Sequence, residues 1–174
     1  MKEVLRKVCL LGDPGVGKTS LMKKFTDGSF SERYVHTTGP KMTRHQLDLL
    51  DLETRLGLQM WDVVGPKTIP FLKGYVQGAA GVLAVCDVTR DETLVNLDDW
   101  IASARQIAGE LSLVILANKC DATDAALVDA QSVAIAARRA RVPYYMTSAR
   151  TGANVQLAFH SICRMMVGEA PLTT

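Results

Sequence analysis

A chain of 174 residues, 48% hydrophobic and 22% charged, has the size and composition of one globular domain and excludes a disordered protein. Its 20 Lys plus Arg stand against 18 Asp plus Glu, a net charge of +2, which gives no footprint for nucleic-acid binding. The longest apolar run, Gly78 to Cys86, is about half of what a bilayer crossing needs.

In chain order, Val4 to Leu11 reads as a buried strand and Gly17 to Thr26 as a helix with Leu21, Met22 and Phe25 on one face. Thr43 to Leu49 and Arg55 to Asp62 read as two strands, and the short polar link Asp51-Leu52-Glu53-Thr54 makes them an antiparallel hairpin. Gly81 to Val88 is a near-continuous apolar run, as a central strand covered on both faces requires. Thr93 to Gly109 has helical spacing ending at a glycine. Leu111 to Ala117 is another buried strand. Ala130 to Arg141 is a helix capped by Asp129, Tyr144 to Thr147 a short strand, and Val155 to Val167 the last helix. Strands alternating with helices imply βαβ units, a mostly parallel sheet and helices on both faces. Ligands of such sheets bind beyond the carboxyl ends of the strands.

The chemistry-bearing segments fall at those ends. Gly12-Asp13-Pro14-Gly15-Val16-Gly17-Lys18-Thr19 fits G-x-x-x-x-G-K-[ST] between the first strand and the first helix. Glycines there let backbone N–H groups wrap a polyphosphate. Lys18 supplies charge for the β- and γ-phosphates, and the Thr19 hydroxyl can bind Mg²⁺. Asn118-Lys119-Cys120-Asp121 follows the strand ending at Ala117. A carboxylate at 121 can accept from both N1–H and the 2-amino group of guanine, neither of which adenine offers. The four cysteines, Cys9, Cys86, Cys120 and Cys163, are scattered, as are His36, His45 and His160. That spacing implies reduced, mostly buried thiols and no metal site built on them.

The stretches GDPGVGKTSL, ERYVHTTG, WDVVG, GAAGVLAVCDVT with TLVNLDDWI, NKCD and TSARTG resemble a small GTPase of the Ras superfamily, most closely the Rab-like branch. The resemblance covers nearly all of residues 4–167. It implies an α/β P-loop NTPase: a mostly parallel six-stranded sheet with one antiparallel edge strand, flanked by five helices. It implies one G domain over 1–174, with 4–167 as core and 168–174 as a short tail. GTP/GDP and Mg²⁺ are the implied cofactors, with Thr19, Thr37 and Asp62 at the metal. Asp13, Pro14, Gly15, Val16, Gly17, Lys18, Thr19 and Ser20 would hold the phosphates. Phe30 matches the aromatic against the guanine, although a plain core Phe is the competing reading. Tyr34, Thr37 and Gly65 would contact the nucleotide from the two switch segments. Asn118, Lys119, Asp121, Ser148, Ala149 and Arg150 would form the base loops, with the Ala149 N–H facing the guanine carbonyl. Lys18, Thr37 and Gly65 would act in hydrolysis. Effector, exchange and activating proteins would read the switch segments.

Four departures stand out. Pro66 occupies the position where most of the family has the Gln that orients the attacking water, and proline has no N–H and no polar side chain. Pro14 replaces a small residue and adds a ring on the γ-phosphate side. Pro66 and Pro70 are expected to keep the second switch segment from forming regular helix. After Cys163 there is no cysteine and no polybasic run, so no lipid anchor is expected. Arg33, His36 and Lys67 are candidates for supplying in cis the group that Pro66 lacks. A nucleotide-controlled switch with slow, partner-assisted hydrolysis is the leading reading; an interaction module that binds GTP or GDP without useful hydrolysis is the alternative. A cytoplasmic, monomeric protein fits the composition.

Overall fold

The structure, a computed structural model, describes residues 1–33 and 36–173. Its strands are β1 (Lys2–Leu11), β2 (Lys41–Leu49), β3 (Thr54–Asp62), β4 (Gly81–Asp87), β5 (Ser112–Asn118) and β6 (Tyr144–Met146). They form one sheet in the order β2-β3-β1-β4-β5-β6. Only the β2–β3 pair is antiparallel, which leaves β2 as the antiparallel edge. The helices are α1 (Lys18–Asp27), α2 (Ile69–Val76), α3 (Asp91–Val95), α4 (Leu97–Ala108), α5 (Ala130–Ala140) and α6 (Val155–Met165). Asn96 links α3 to α4 in right-handed helical conformation, φ −66° and ψ −15°, so five helical bodies flank the sheet. No helix among the described residues is long and apolar enough to cross a membrane.

The period-2 alternation of the strands sorts their side chains between two cores. Val8 and Leu10 of β1 pack with Leu21 and Phe25 of α1 and Phe159 and Ile162 of α6. Cys9 and Leu11 point the other way, to Leu72 of α2, Leu97 and Trp100 of α4 and Val133 of α5. Every residue of β4 is buried, as a strand covered on both faces demands. Phe25 and Phe159 stack with ring centroids 4.3 Å apart, which ties the first helix to the last.

Two expectations need correction. The helix read over 93–109 begins earlier, at Asp91, and its backbone turns on through Asn96, whose side-chain amide donates to Asp13 Oδ2 at 2.6 Å. The second switch segment does form a helix. Pro70 is the second residue of α2, and first-turn N–H groups have no intrahelical partner to lose. The Asp129 cap is as expected, with the Ser132 N–H donating to Asp129 Oδ1 at 2.8 Å.

The segment after α6 turns back at Gly168, whose φ is +93°. Leu172 then docks on two buried hydroxyls. Its N–H donates to Ser161 Oγ at 3.0 Å, and its carbonyl accepts from the Tyr145 hydroxyl. Tyr145 Oη and Ser161 Oγ lie 2.7 Å apart, so the three residues satisfy one another.

Candidate functional site

The carboxyl ends of β1, β3, β5 and β6 surround one cavity of about 470 Å³. The turn after β1 forms its floor. Gly12 and Gly17 have φ of +149° and +104°. A Cβ at Gly12 would collide with the Val85 carbonyl, and one at Gly17 with the Asn118 amide, so both positions demand glycine. Lys18 opens α1, is 5% exposed, and donates to the carbonyls of Gly12 at 2.7 Å and Asp13 at 3.0 Å. Burial pushes its ammonium down to about 8, with Asp62 and Asp13 opposing the shift and Arg90 adding to it. Its charge is therefore held under strain beside a turn built for anions.

Three oxygens meet beside the turn. Thr19 Oγ1 lies 2.9 Å from Thr37 Oγ1 and donates to Asp62 Oδ2. Asp62 is fully buried at the end of β3, and its Oδ1 has no hydrogen-bond partner among the described residues. Burial pushes the Asp62 carboxyl up, against the Thr19 hydrogen bond and the charges of Lys18 and Lys41. A carboxylate with a vacant lone-pair direction beside two hydroxyls is a hard-oxygen donor set, which fits Mg²⁺. The described residues contain no cluster of three His, Cys, Asp or Glu. Mg²⁺ does not require one, because it is held by few protein groups together with waters and phosphate oxygens.

At the far end, Asp121 and Phe30 line the cavity. Ser148 Oγ donates to Asp121 Oδ1 at 2.6 Å and accepts from the Thr151 N–H at 3.0 Å. The loop after β6 therefore aims the carboxylate supplied by the loop after β5. Phe30 is 38% exposed on the cavity wall, which removes the core reading. Asn118 serves as a tie between loops: its amide donates to the Val16 carbonyl at 2.9 Å, and its Oδ1 accepts from the Ala149 N–H at 3.2 Å. That N–H, expected to face a guanine carbonyl, is thus turned into the protein. Lys119 holds a φ of +67° and reaches the Gly15 carbonyl at 3.0 Å and Asp87 Oδ2 at 2.6 Å. Arg150, also on the wall, pairs with Glu32 at 3.1 Å.

Pro14, Gly15, Gly17, Lys18, Thr19, Ser20, Thr37, Asp62, Asn118, Lys119, Asp121, Ala149 and Arg150 all reach the wall. Asp13, Val16, Gly65 and Ser148 are not among the lining residues. The Asp13 carboxylate anchors the turn from behind: it accepts from Asn96 Nδ2 at 2.6 Å and Trp100 Nε1 at 2.9 Å. Gly65, with a φ of +152°, lies under the Phe71 ring, which a Cβ would strike. Tyr34 lies outside the described residues. Of the cis candidates, Arg33 and His36 line the cavity, whereas Lys67 is engaged by Asp99 at 3.2 Å.

Sequence reading missed Asp87, Arg90, Asn96 and Trp100, which brace the turn from the ends of β4 and the helices after it. The signal was there: Asp87 is a carboxylate at the tip of an otherwise apolar run, where ligand loops begin. It is 1% exposed. Burial pushes its carboxyl up, but hydrogen bonds from Lys119 and Thr89 outweigh that and hold it below the usual carboxylate range.

The Ras family model matches residues 7–168. Ras-related protein Rab-13 of Rattus norvegicus is 32% identical over 163 residues, covering 92% of this chain and 79% of its own. Ras-related protein Rab-8B of Dictyostelium discoideum is 32% identical over 165 residues, covering 93% and 80%. Ras-related protein Rab-10 of Caenorhabditis elegans is 28% identical over 174 residues, covering 99% and 86%.

Proposed function

The chain belongs to the Ras family, and from that premise we propose that it binds GDP and GTP in the cavity at the strand ends and uses the exchange as a molecular switch. One observation carries the reading: Asp121, aimed by Ser148, sits on the same cavity wall as Lys18 and the glycine turn. A carboxylate able to accept two guanine donors thereby shares one chamber with a polyphosphate cradle.

Each residue has a task in GTP hydrolysis. Backbone N–H groups of the turn and the Lys18 ammonium would stabilise charge on the phosphate oxygens as the bond to the γ-phosphorus breaks. Mg²⁺, when bound, would neutralise phosphate charge. Thr19 and Asp62 would hold it, and Thr37 would join them when the triphosphate closes the first switch segment. Phe30 would cover one face of the base. The attacking water lacks its usual guide, because Pro66 offers neither donor nor acceptor beyond its carbonyl. Hydrolysis is therefore slow alone and assisted by a partner. Effector, exchange and activating proteins would read residues 30–40 and 63–76.

Competition binding with GDP, GTP, ADP and ATP, followed by single-turnover GTP hydrolysis, tests the reading. The expected outcome is guanine-selective binding and an unassisted rate at or below the low end of about 10⁻⁴ to 10⁻² s⁻¹. Equal binding of adenine nucleotides would overturn the site reading. A rate near 1 s⁻¹ without a partner would show that another group, Arg33 first, orients the water. Guanine-selective binding with no hydrolysis even beside activating partners would favour the interaction-module reading, which Pro66 also suits.

A further inference from the structure

Five consecutive carbonyls of the phosphate turn are tied by side chains. Lys18 takes those of Gly12 and Asp13, Arg90 Nη2 that of Pro14 at 2.8 Å, Lys119 that of Gly15 and Asn118 that of Val16. In a trans peptide the C=O and the next residue's N–H point to opposite sides. Each tie therefore also sets the direction of an N–H. The last three ties set those of Gly15, Val16 and Gly17, none of which has a hydrogen-bond partner among the described residues.

Arg90 differs from the other cations in this set. It is not part of the cavity wall, so it makes no direct contact with a ligand there. It spans two acceptors instead, with Nε 3.3 Å from Asp87 Oδ2 and Nη2 on the Pro14 carbonyl. Asp87 is the common anchor: its Oδ2 takes Arg90 and Lys119, while its Oδ1 takes the Thr89 N–H at 2.9 Å and the Thr89 hydroxyl at 2.6 Å. The proline ring fixes φ at residue 14, and Gly15 has a φ of +76°. The remaining freedom of the Pro14–Gly15 peptide is its rotation, which the Arg90 bond to the carbonyl removes.

We propose that Arg90, held by Asp87, is a positioning residue of the phosphate cradle: it fixes the Pro14 carbonyl and so aims the Gly15 N–H at the bound polyphosphate. The planar fork of arginine serves two acceptors at once, which a lysine ammonium on a flexible stem does not reproduce. The assignment rests on the guanine-nucleotide reading above. It also gives Pro14 a second part, since a residue with fixed φ and a tied carbonyl presents the next N–H without reorganisation.

The test compares wild type, Arg90→Ala and Arg90→Lys. GDP, GTP and GMP affinities are measured, together with the melting temperature of the nucleotide-free protein. Arg90 is 38% exposed at its side chain, so all three chains are expected to fold with similar melting temperatures. Arg90→Ala should lose about tenfold in GDP and GTP affinity, the scale of one charge-assisted hydrogen bond. GMP, which lacks the β- and γ-phosphates, should lose less than twofold. Arg90→Lys should stay within about twofold of the alanine variant. Equal losses for all three nucleotides would reduce Arg90 to a general brace and overturn the proposal. Full recovery in Arg90→Lys would replace positioning by plain charge and overturn it as well. Wild-type affinities in Arg90→Ala would overturn it while leaving the nucleotide reading intact. A wild type that binds no guanine nucleotide would overturn both.

Discussion

In the proposed function Asp121 would decide which base the cavity accepts, with its carboxylate aimed by a neighbouring loop. The Ser148 hydroxyl occupies one lone pair of Oδ1 at 2.6 Å and leaves the rest of the carboxylate for the ligand. An amide in its place keeps the shape but exchanges one acceptor for a donor. Asp121→Asn is therefore expected to weaken GTP by more than about 100-fold, because a mismatched buried hydrogen-bonding site leaves groups unpaired on both partners. Xanthine nucleotides, which carry a carbonyl at position 2, should gain affinity. Competition between GTP and XTP reads both changes; an unchanged GTP preference would remove Asp121 from the base site. Residue-scale reading reached this carboxylate, the Thr19 hydroxyl and Lys18 from motif spacing, and the Thr37 hydroxyl from resemblance. It left the Asp13 carboxylate unplaced, because a motif specifies backbone near the phosphates and says little about where a flanking side chain turns.

Among the elements, α2 shows how position rules over composition. Pro70 would cost about 3 kcal/mol inside a helix, yet as the second residue of α2 it removes no hydrogen bond. Pro70→Ala should change stability by less than about 0.5 kcal/mol in urea unfolding; a stabilisation near 3 kcal/mol would mean that the proline does oppose the helix. The segment after α6 is held differently, through one residue. Tyr145→Phe takes the donor from the Leu172 carbonyl and the partner from Ser161, while the ring keeps its place in the core. The cost should be about 1–3 kcal/mol, with faster exchange of the Leu172 amide proton as the local reading. Unchanged exchange there would show that the tail is held by other contacts.

For the whole molecule, four loops from four strands share one ligand cavity, so ligand and fold stabilise each other. Nucleotide at about a thousand times its Kd adds about 4 kcal/mol. For a domain of this size each kcal/mol raises the Tm by roughly 2–4 °C. GDP with Mg²⁺ should therefore raise the Tm by about 10 °C and ADP with Mg²⁺ should not; equal shifts would contradict a site selective for guanine. Chelation of Mg²⁺ should reduce the GDP shift, because Asp62 Oδ1 is buried with no described partner and an unneutralised phosphate would then face that carboxylate.

The sequence alone determined the order of strands and helices along the chain, a mostly parallel sheet with one antiparallel pair, helices on both faces and the two motif stretches, 12–19 and 118–121, that contribute to the cavity wall. These follow from local periodicity, from glycines at turns and from residue types at fixed spacing, all of which are written within a few positions of one another. Thr37 and Asp62, which join Thr19 in one cluster, came instead from resemblance, since they lie far from the turn in the chain and no spacing rule joins them to it. Only the tertiary structure decided what lies behind the turn. Arg90 reaches back across 76 positions to the Pro14 carbonyl, Lys119 across 104 to Gly15, and Asn118 across 102 to Val16. Side chains that grip backbone carbonyls obey no residue-type code at the gripped position, because every residue has a carbonyl. Such contacts are fixed by how the strands pack, and become visible only when the chain is folded.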